Sequence, residues 1–223
     1  MGLTPSNNKK RQEELIESII IFVYEYLCKW RDNIGRPNTE SEKQLNPDLL
    51  KFLSVCVRNT EFPFNFSHEE PQGNRRTVDI AVYPNNNECY NEVITVFECK
   101  RLSIDTGEKR KDEYVTGHEN ISGGIQRFKI EAHGEKHRIV GMIGYIQTGT
   151  CLDWQKTINN CIDGLCDKQD KDGLYWNKHE NLKTIEYDEK RNKYHGKSIH
   201  PRKTKPDITI HHLWVNTQRH NFT

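Results

Sequence analysis

The chain has 223 residues, and 33 Lys and Arg against 32 Asp and Glu leave a formal net charge of +1. That length suits one large domain or two small ones, and near-neutrality excludes binding to a polyanion through bulk charge, leaving that role to local basic patches. Hydrophobic residues are 34% of the sequence and mean hydropathy is −0.90. They gather in discrete runs, so a core is expected between polar loops rich in Asn and Lys.

The seven cysteines, Cys28, Cys56, Cys89, Cys99, Cys151, Cys161 and Cys166, are odd in number and show no Cys-x-x-Cys spacing. Several fall in apolar segments, as reduced core cysteines do. The first residues carry no apolar signal region, and the longest apolar run, Leu15–Leu27, is broken by Glu17 and Glu25. It is too short to span a bilayer. These features predict a protein of a reducing cytoplasm with no membrane segment.

Taken in order, residues 1–10 read as unstructured. Leu15, Ile19, Phe22, Val23, Tyr26, Leu27 and Trp30 recur at three and four residues, which predicts one amphipathic helix over 10–30. Its apolar face suits core packing or a homodimer contact. Thr39 to Glu42 has the form of a capping box. Asn46-Pro47 restarts the helical pattern as N-cap and first-turn proline, with Leu49, Leu50, Phe52, Leu53 and Cys56 inward. Three strands follow over 61–69, 75–83 and 92–102, with turn residues Pro71-Gln72-Gly73-Asn74 between the first two. Residues 103–122 read as a mobile polar loop, 125–131 as a helix with a basic flank, and 137–148 as a buried strand. Its glycines, Gly141 and Gly144, suggest close helix packing. Strand, helix, strand at this spacing implies a crossover and a parallel pair. A helix over 152–166, a loop over 167–178, hairpin strands over 183–187 and 194–202 and a last strand over 206–216 complete the pattern. The chain is thus a single domain: a helical extension (1–38), an αβββαβ core (39–150) and a C-terminal helix with strands (151–223).

Two of these apolar strands carry charges, which are costly to bury unpaired. Asp79 lies inside Thr77–Tyr83. Glu98 and Lys100 end the run Glu92–Leu102 and, by alternation, share one face with Val96. Carboxylates on neighbouring strands can hold a hard divalent ion, which polarises a phosphate and acidifies bound water. A nearby Lys can position that water or stabilise developing charge. Asp79, Glu98 and Lys100 are therefore the catalytic candidates. Asp79, Glu98 and the Cys99 backbone carbonyl are the metal candidates, and Glu42 is either a capping carboxylate or a further ligand.

Val78-Asp79 in one strand, Phe97-Glu98-Cys99-Lys100 in the next and Gln126 in the following helix together resemble the PD-(D/E)XK nuclease superfamily, the restriction-endonuclease-like fold. The likeness covers roughly 39–148. Phe-Glu-Cys-Lys-Arg-Leu, Gly-Gly-Ile-Gln-Arg-Phe-Lys, His133-Gly134, Ile143-Gly144-Tyr145-Ile146-Gln147 and His211-His212-Leu213-Trp214-Val215 are similar to pieces of bacterial members. Val78 stands where the superfamily's name has Pro, a position that varies. The resemblance implies an α/β three-layer core with a mixed sheet, and a Mg²⁺-dependent endodeoxyribonuclease in which Mn²⁺ can substitute. It implies that Asp79 and Glu98 bind the metal and Lys100 serves catalysis, while Glu42 matches an acidic helix residue of many members. DNA is the expected partner, with RNA still open. A nuclease fold that has lost catalysis and binds nucleic acid or protein is the alternative.

Nucleic-acid contacts are expected from two places. Ser198, His200 and Arg202 alternate along one strand face beside Arg191, Lys193, Lys197, Lys203 and Lys205, a surface that could track phosphates or simply be solvated. Gln126, Arg127 and Lys129 could contact a phosphate or orient Lys100. His211 and His212 are adjacent in a strand, so they face opposite ways. No Gly-rich phosphate loop, Ser-His-Asp order or dinucleotide fingerprint is present.

Overall fold

A computed structural model describes residues 5–33, 41–60, 62–72, 77–85, 92–103, 112–117, 123–166 and 173–218, with side chains of the first helix from Lys10 onward. Thr39, Cys89, the Gly73-Asn74 turn and much of the 103–122 loop lie outside them.

Helix α1 (Pro5–Arg31) begins five residues before the predicted start at 10, so residues 5–10 are helical where the sequence read as unstructured. Ile16, Ile19, Ile20, Val23, Tyr24, Leu27 and Trp30 are all buried against one face of the sheet. The apolar stripe is therefore core, not a dimer seam, and Ile21 is the large α1 hydrophobe left exposed among the described residues. Helix α2 (Glu42–Thr60) packs beside it and runs unbroken through Pro47. The expected restart at Asn46 is absent: Asn46 is buried, and its Oδ1 accepts a 3.0 Å hydrogen bond from Tyr145. A buried amide with a partner is worth more to the fold than a cap in mid-helix.

The strands are β1 (Phe64–Pro71), β2 (Thr77–Pro84), β3 (Thr95–Leu102), β4 (Ile139–Ile146), β5 (Lys183–Asp188), β6 (Lys193–His200) and β7 (Ile208–Asn216). They form one mixed sheet in the order β1-β2-β3-β4-β7-β6-β5. β1, β2 and β3 make the expected antiparallel meander, and β3–β4 and β4–β7 are parallel. The last strand thus inserts at the centre of the sheet. Helices α3 (Gly124–Lys129), in the β3–β4 crossover, and α4 (Cys151–Leu165) cover the opposite face from α1 and α2. The architecture is α/β, with helices on both faces of a seven-stranded sheet.

Three expectations fail here. Gly141 and Gly144 face neighbouring strands rather than helices: a Cβ at Gly141 would sit 2.2 Å from the Phe97 ring, and one at Gly144 2.3 Å from Trp214. The 103–122 loop does not simply float over the strand ends, because a 3-10 turn at Asp112–Tyr114 sets Tyr114 and Val115 into the core. Lys178–Glu180 forms a second 3-10 turn that the sequence did not announce.

Helix α4 shows how local chemistry fixes a boundary. Thr150 Oγ1 accepts from Asp153 N at 3.1 Å while Thr150 N donates to Asp153 Oδ2 at 3.1 Å, a complete capping box. Thr150→Ala is expected to cost about 1 kcal/mol and to lower the thermal midpoint by about 2–4 °C. A calorimetric scan showing no shift would remove the cap from the account.

Candidate active site

The site begins where β2 leaves β3. Their ladder runs from Val82↔Thr95 to Ile80↔Phe97 and stops before Asp79 and Glu98 would pair. On the other side of β2, the register would put Glu69 opposite Asp79, but Glu69 takes a left-handed φ of 52° and the pair drops out. A non-glycine residue in that region is uncommon, and here it marks the spot where the sheet opens.

Beyond the split, β3 has an edge whose amides need acceptors. Side chains supply them. Cys99 N donates to Asp79 Oδ2 at 2.7 Å, and Arg101 N donates to Glu42 Oε1 at 2.7 Å. Glu42 thus reaches from the first turn of α2 to the edge that Asp79 also holds, while Thr39, the other half of the expected capping box, lies outside the described residues. The amide and carbonyl of one strand residue point to the same side, so the Cys99 carbonyl faces this edge too.

Glu98 and Lys100 project from β3 toward α3. Glu98 is 1% exposed. Its Oε1 accepts from Lys100 Nζ at 2.9 Å and from an Arg127 guanidinium nitrogen at 2.7 Å, and its Oε2 lies 3.1 Å from His133 Nδ1. Burial pushes the Glu98 carboxyl up, but Lys100, His133 and Arg127 outweigh it and hold it down to about 2. Burial also disfavours the Lys100 ammonium, yet Glu98, Glu42 and Asp79 hold its pKa above the usual range. Asp79 has the opposite balance. Burial and then repulsion from Glu98 raise it to about 7, against the pull of Lys100 and the Cys99 amide. Three carboxylates thus converge around one lysine, and Asp79 is the one left short of positive charge.

The remaining predicted contacts are placed differently. Gln126 is buried and accepts from Gly117 N at 2.8 Å, tying the start of α3 to the Asp112 turn. Lys129 is 1% exposed and ion-pairs with Glu180, so it is unavailable to a phosphate. Arg127, with 27% of its side chain exposed, is the one residue of that trio at the site. Ser198 and His200 do share a strand face, but it is the inner one: they are 3% and 0% exposed. Arg202 is a staple, its Nε donating to Pro206 O at 2.6 Å and its guanidinium to the carbonyls of Glu135 and His137, each at 3.1 Å. The expected phosphate-tracking surface on Ser198, His200 and Arg202 does not form.

Ser198 and His200 instead belong to a buried relay. His200 Nδ1 lies 2.6 Å from Glu180 Oε2, His200 Nε2 lies 2.6 Å from Ser198 Oγ, and Ser198 Oγ lies 2.7 Å from His212 Nε2. His212 Nδ1 lies 2.8 Å from Tyr114 OH, which accepts from Trp214 Nε1 at 2.9 Å. An ionised carboxylate only accepts, so with both imidazoles neutral the direction follows from the Glu180 end. Trp214 donates to Tyr114, Tyr114 to His212, His212 to Ser198, Ser198 to His200 and His200 to Glu180. Both imidazoles are neutral in this order, as expected where burial drives the pKa values of His200 and His212 down. The Ser198–His200–Glu180 order is that of a nucleophilic triad, but Ser198 is sealed in the core with its oxygen already accepting from His212. It holds the fold together; it does not meet a substrate. Only the i, i+2 spacing of Ser198 and His200 was legible in the sequence, because Tyr114 and Glu180 come from irregular segments.

Hard-cation chemistry fits part of this arrangement. Asp79, Glu98, Glu42 and the Cys99 carbonyl are oxygen donors of the kind Mg²⁺ takes, and Asp79 carries the charge a cation would relieve. An ionised carboxylate has about four lone-pair sites, so the three donors on Glu98 do not exhaust it. Among the described residues, however, no group of three or more His, Cys, Asp or Glu is arranged to hold a metal as it stands. A groove under the first turns of α1, lined by Glu13, Glu17, Ile21, Arg138, Lys197 and others, shares no residue with this site. No helix among the described residues is long and apolar enough to cross a membrane.

No family model, curated protein or solved structure matches the chain.

Proposed function

We propose that the chain is a metal-dependent nuclease with restriction-endonuclease-like layering that hydrolyses phosphodiester bonds, in DNA by preference. The observation that carries this reading is the gathering of Asp79, Glu98, Lys100 and Glu42 where β2 parts from β3. Asp79 and Glu98 would hold Mg²⁺, or Mn²⁺ in its place, aided by the Cys99 carbonyl and Glu42. Bound there, the ion would neutralise phosphate charge and acidify water.

The chain's own groups define the rest. Lys100 stays protonated beside three carboxylates and is partly exposed, with 14% of its side chain in solvent. It can place an attacking water and stabilise charge developing on the phosphate. Arg127, partly exposed on the same carboxylate, can orient a phosphate bidentately without leaving the site.

The test is a cleavage screen of supercoiled, linear, single-stranded and branched DNA beside RNA, with Mg²⁺ and with Mn²⁺. Wild-type protein is expected to cleave DNA, and Lys100→Ala to lose about 10²–10³-fold or more in rate. Arg127 and His133 still satisfy Glu98 in that variant, so its thermal midpoint should stay within a few degrees of wild type. A second reading, a nuclease fold without catalysis, is favoured by one observation: Lys100 and Arg127 pair with Glu98 Oε1 while His133 Nδ1 lies 3.1 Å from Oε2, so both carboxylate oxygens already have protein partners. Wild type that cuts none of these substrates would establish that reading instead.

A further inference from the structure

We infer that His133 is a positioning residue for Glu98, fixing the rotamer in which that carboxylate can meet a cation. The inference rests on the metal-dependent reading above. Neither sheet nor helix spacing assigns His133 to the site; an irregular turn brings it there.

His133 is 3% exposed and places Nδ1 3.1 Å from Glu98 Oε2. A carboxylate that also accepts from Lys100 and Arg127 has no proton to give, so Nδ1 carries the hydrogen. Lys100 and Arg127 both bind Oε1. His133 is thus the one described group that holds Oε2, and it decides how the carboxylate plane is turned. The ring is itself fixed, edge-on to Phe128 at 6.3 Å and 80°.

The turn that carries His133 is anchored from three directions, which a solvent loop does not need. Glu131 and Gly134 bracket His133 with left-handed φ values of 63° and 62°. Ala132 N and His133 N both return to Arg127 O, at 2.9 and 3.2 Å. Gln72, at the end of β1, accepts from Gly134 N at 3.1 Å. From the β6–β7 loop, Arg202 holds the carbonyls of Glu135 and His137, and the Glu131 carboxylate accepts from Thr204 Oγ1 at 2.6 Å and Lys205 N at 2.9 Å. A left-handed non-glycine residue is strained and persists where surroundings enforce it. What this scaffold enforces is the aim of one imidazole.

Groups that orient a metal-binding side chain tune its hold on the cation, typically by about 10–100-fold. The experiment compares wild type with His133→Asn, His133→Gln and His133→Phe. Asn returns an N–H near the place of Nδ1; Gln offers its amide further out; Phe offers none and keeps the ring. Mn²⁺ binding to each DNA-free protein is followed by the electron paramagnetic resonance of the free ion, with thermal unfolding alongside. The Mg²⁺ concentration for half-maximal cleavage is measured separately. Gln and Phe are expected to bind Mn²⁺ about 10–100-fold more weakly and to need correspondingly more Mg²⁺. Asn should stay within about 3-fold of wild type in both measurements, well inside the about 10–100-fold loss expected without the hydrogen bond. Asn and Gln binding Mn²⁺ alike would overturn the inference while leaving the nuclease reading intact, provided wild type binds and cleaves. Wild type that holds no Mn²⁺ would overturn both.

Discussion

Lowering the pH from 7 to 5.5 is expected to remove much of the protein's stability, because buried neutral histidines must be charged. His195, His200, His211 and His212 are each 6% exposed or less. Burial lowers His195 to about 4 and His211 to about 3, helped by Lys197 beside both, Lys193 beside His195, and His195 beside His211. Burial also lowers His200, against the pull of Glu180, and lowers His212 among its histidine neighbours. Each group titrates near 6.5 in the unfolded chain and lower in the fold, so the unfolded state binds more protons below pH 6.5. The stability these histidines contribute is present above that value and is lost as pH falls toward their folded values. Each can cost up to about 1.4 kcal/mol per pH unit. Four together approach roughly 3–5 kcal/mol by pH 5.5, out of about 5–15 kcal/mol in total. Asp79, raised to about 7, works the other way. It takes up its proton in the fold first, and offsets about 1–2 kcal/mol of the loss. Urea unfolding at pH 7.5, 6.5 and 5.5 should show the midpoint falling through this range. A midpoint that holds steady or rises would mean that these imidazoles are not neutral and buried.

Glu180→Ala is expected to be among the most damaging single substitutions. The carboxylate lies at the core end of α3, is fully buried and is paired with Lys129. It also receives His200 Nδ1 and, at 3.0 Å, Asn177 N. Without it Lys129 loses the carboxylate of that pair, while its contacts with the Tyr175 carbonyl at 3.0 Å and the Trp176 ring at 4.1 Å bring no full negative charge. An uncompensated buried ammonium costs about 3–5 kcal/mol, which for a chain of this size lowers the thermal midpoint by about 10 °C or more. Adding Lys129→Met removes the orphaned charge and should recover part of that loss. A shift of about 2 °C or less for Glu180→Ala, or no recovery in the double variant, would show that the pair is not a desolvated one.

Much of the frame was legible. The three-residue and four-residue spacing of Leu15–Trp30 marks a helix because each turn must bury the same face, and it does. Alternation in Glu92–Leu102 placed Glu98 and Lys100 together because a strand leaves no other choice. Alternation says which residues share a face but not which face is inner, and so Ser198 and His200 were expected at the surface. A sheet centre that accepts two imidazoles and a hydroxyl needs Tyr114 and Glu180 to complete it. Those arrive through 3-10 turns with no periodic signal. His133 escaped for the same reason: its role depends on the left-handed Glu131 and on staples from residues about seventy positions away. The sequence named the residue types that meet where β2 parts from β3. Of the three donors to Glu98, alternation showed Lys100, whereas Arg127 and His133 join it only in three dimensions.

The place of β7 bears on how such a sheet comes into being. Synthesis is vectorial, and β7 is made after both strands that flank it. Until Ile208–Asn216 has emerged, a nascent chain carries β1–β4 with one long apolar rim of β4 open and a β5–β6 hairpin with no other strand to join. Exposed rims of that kind pair with whatever strand is near. The molecule therefore depends on rapid closure by its last strand, which buries the open rims of both half-sheets in a single docking event.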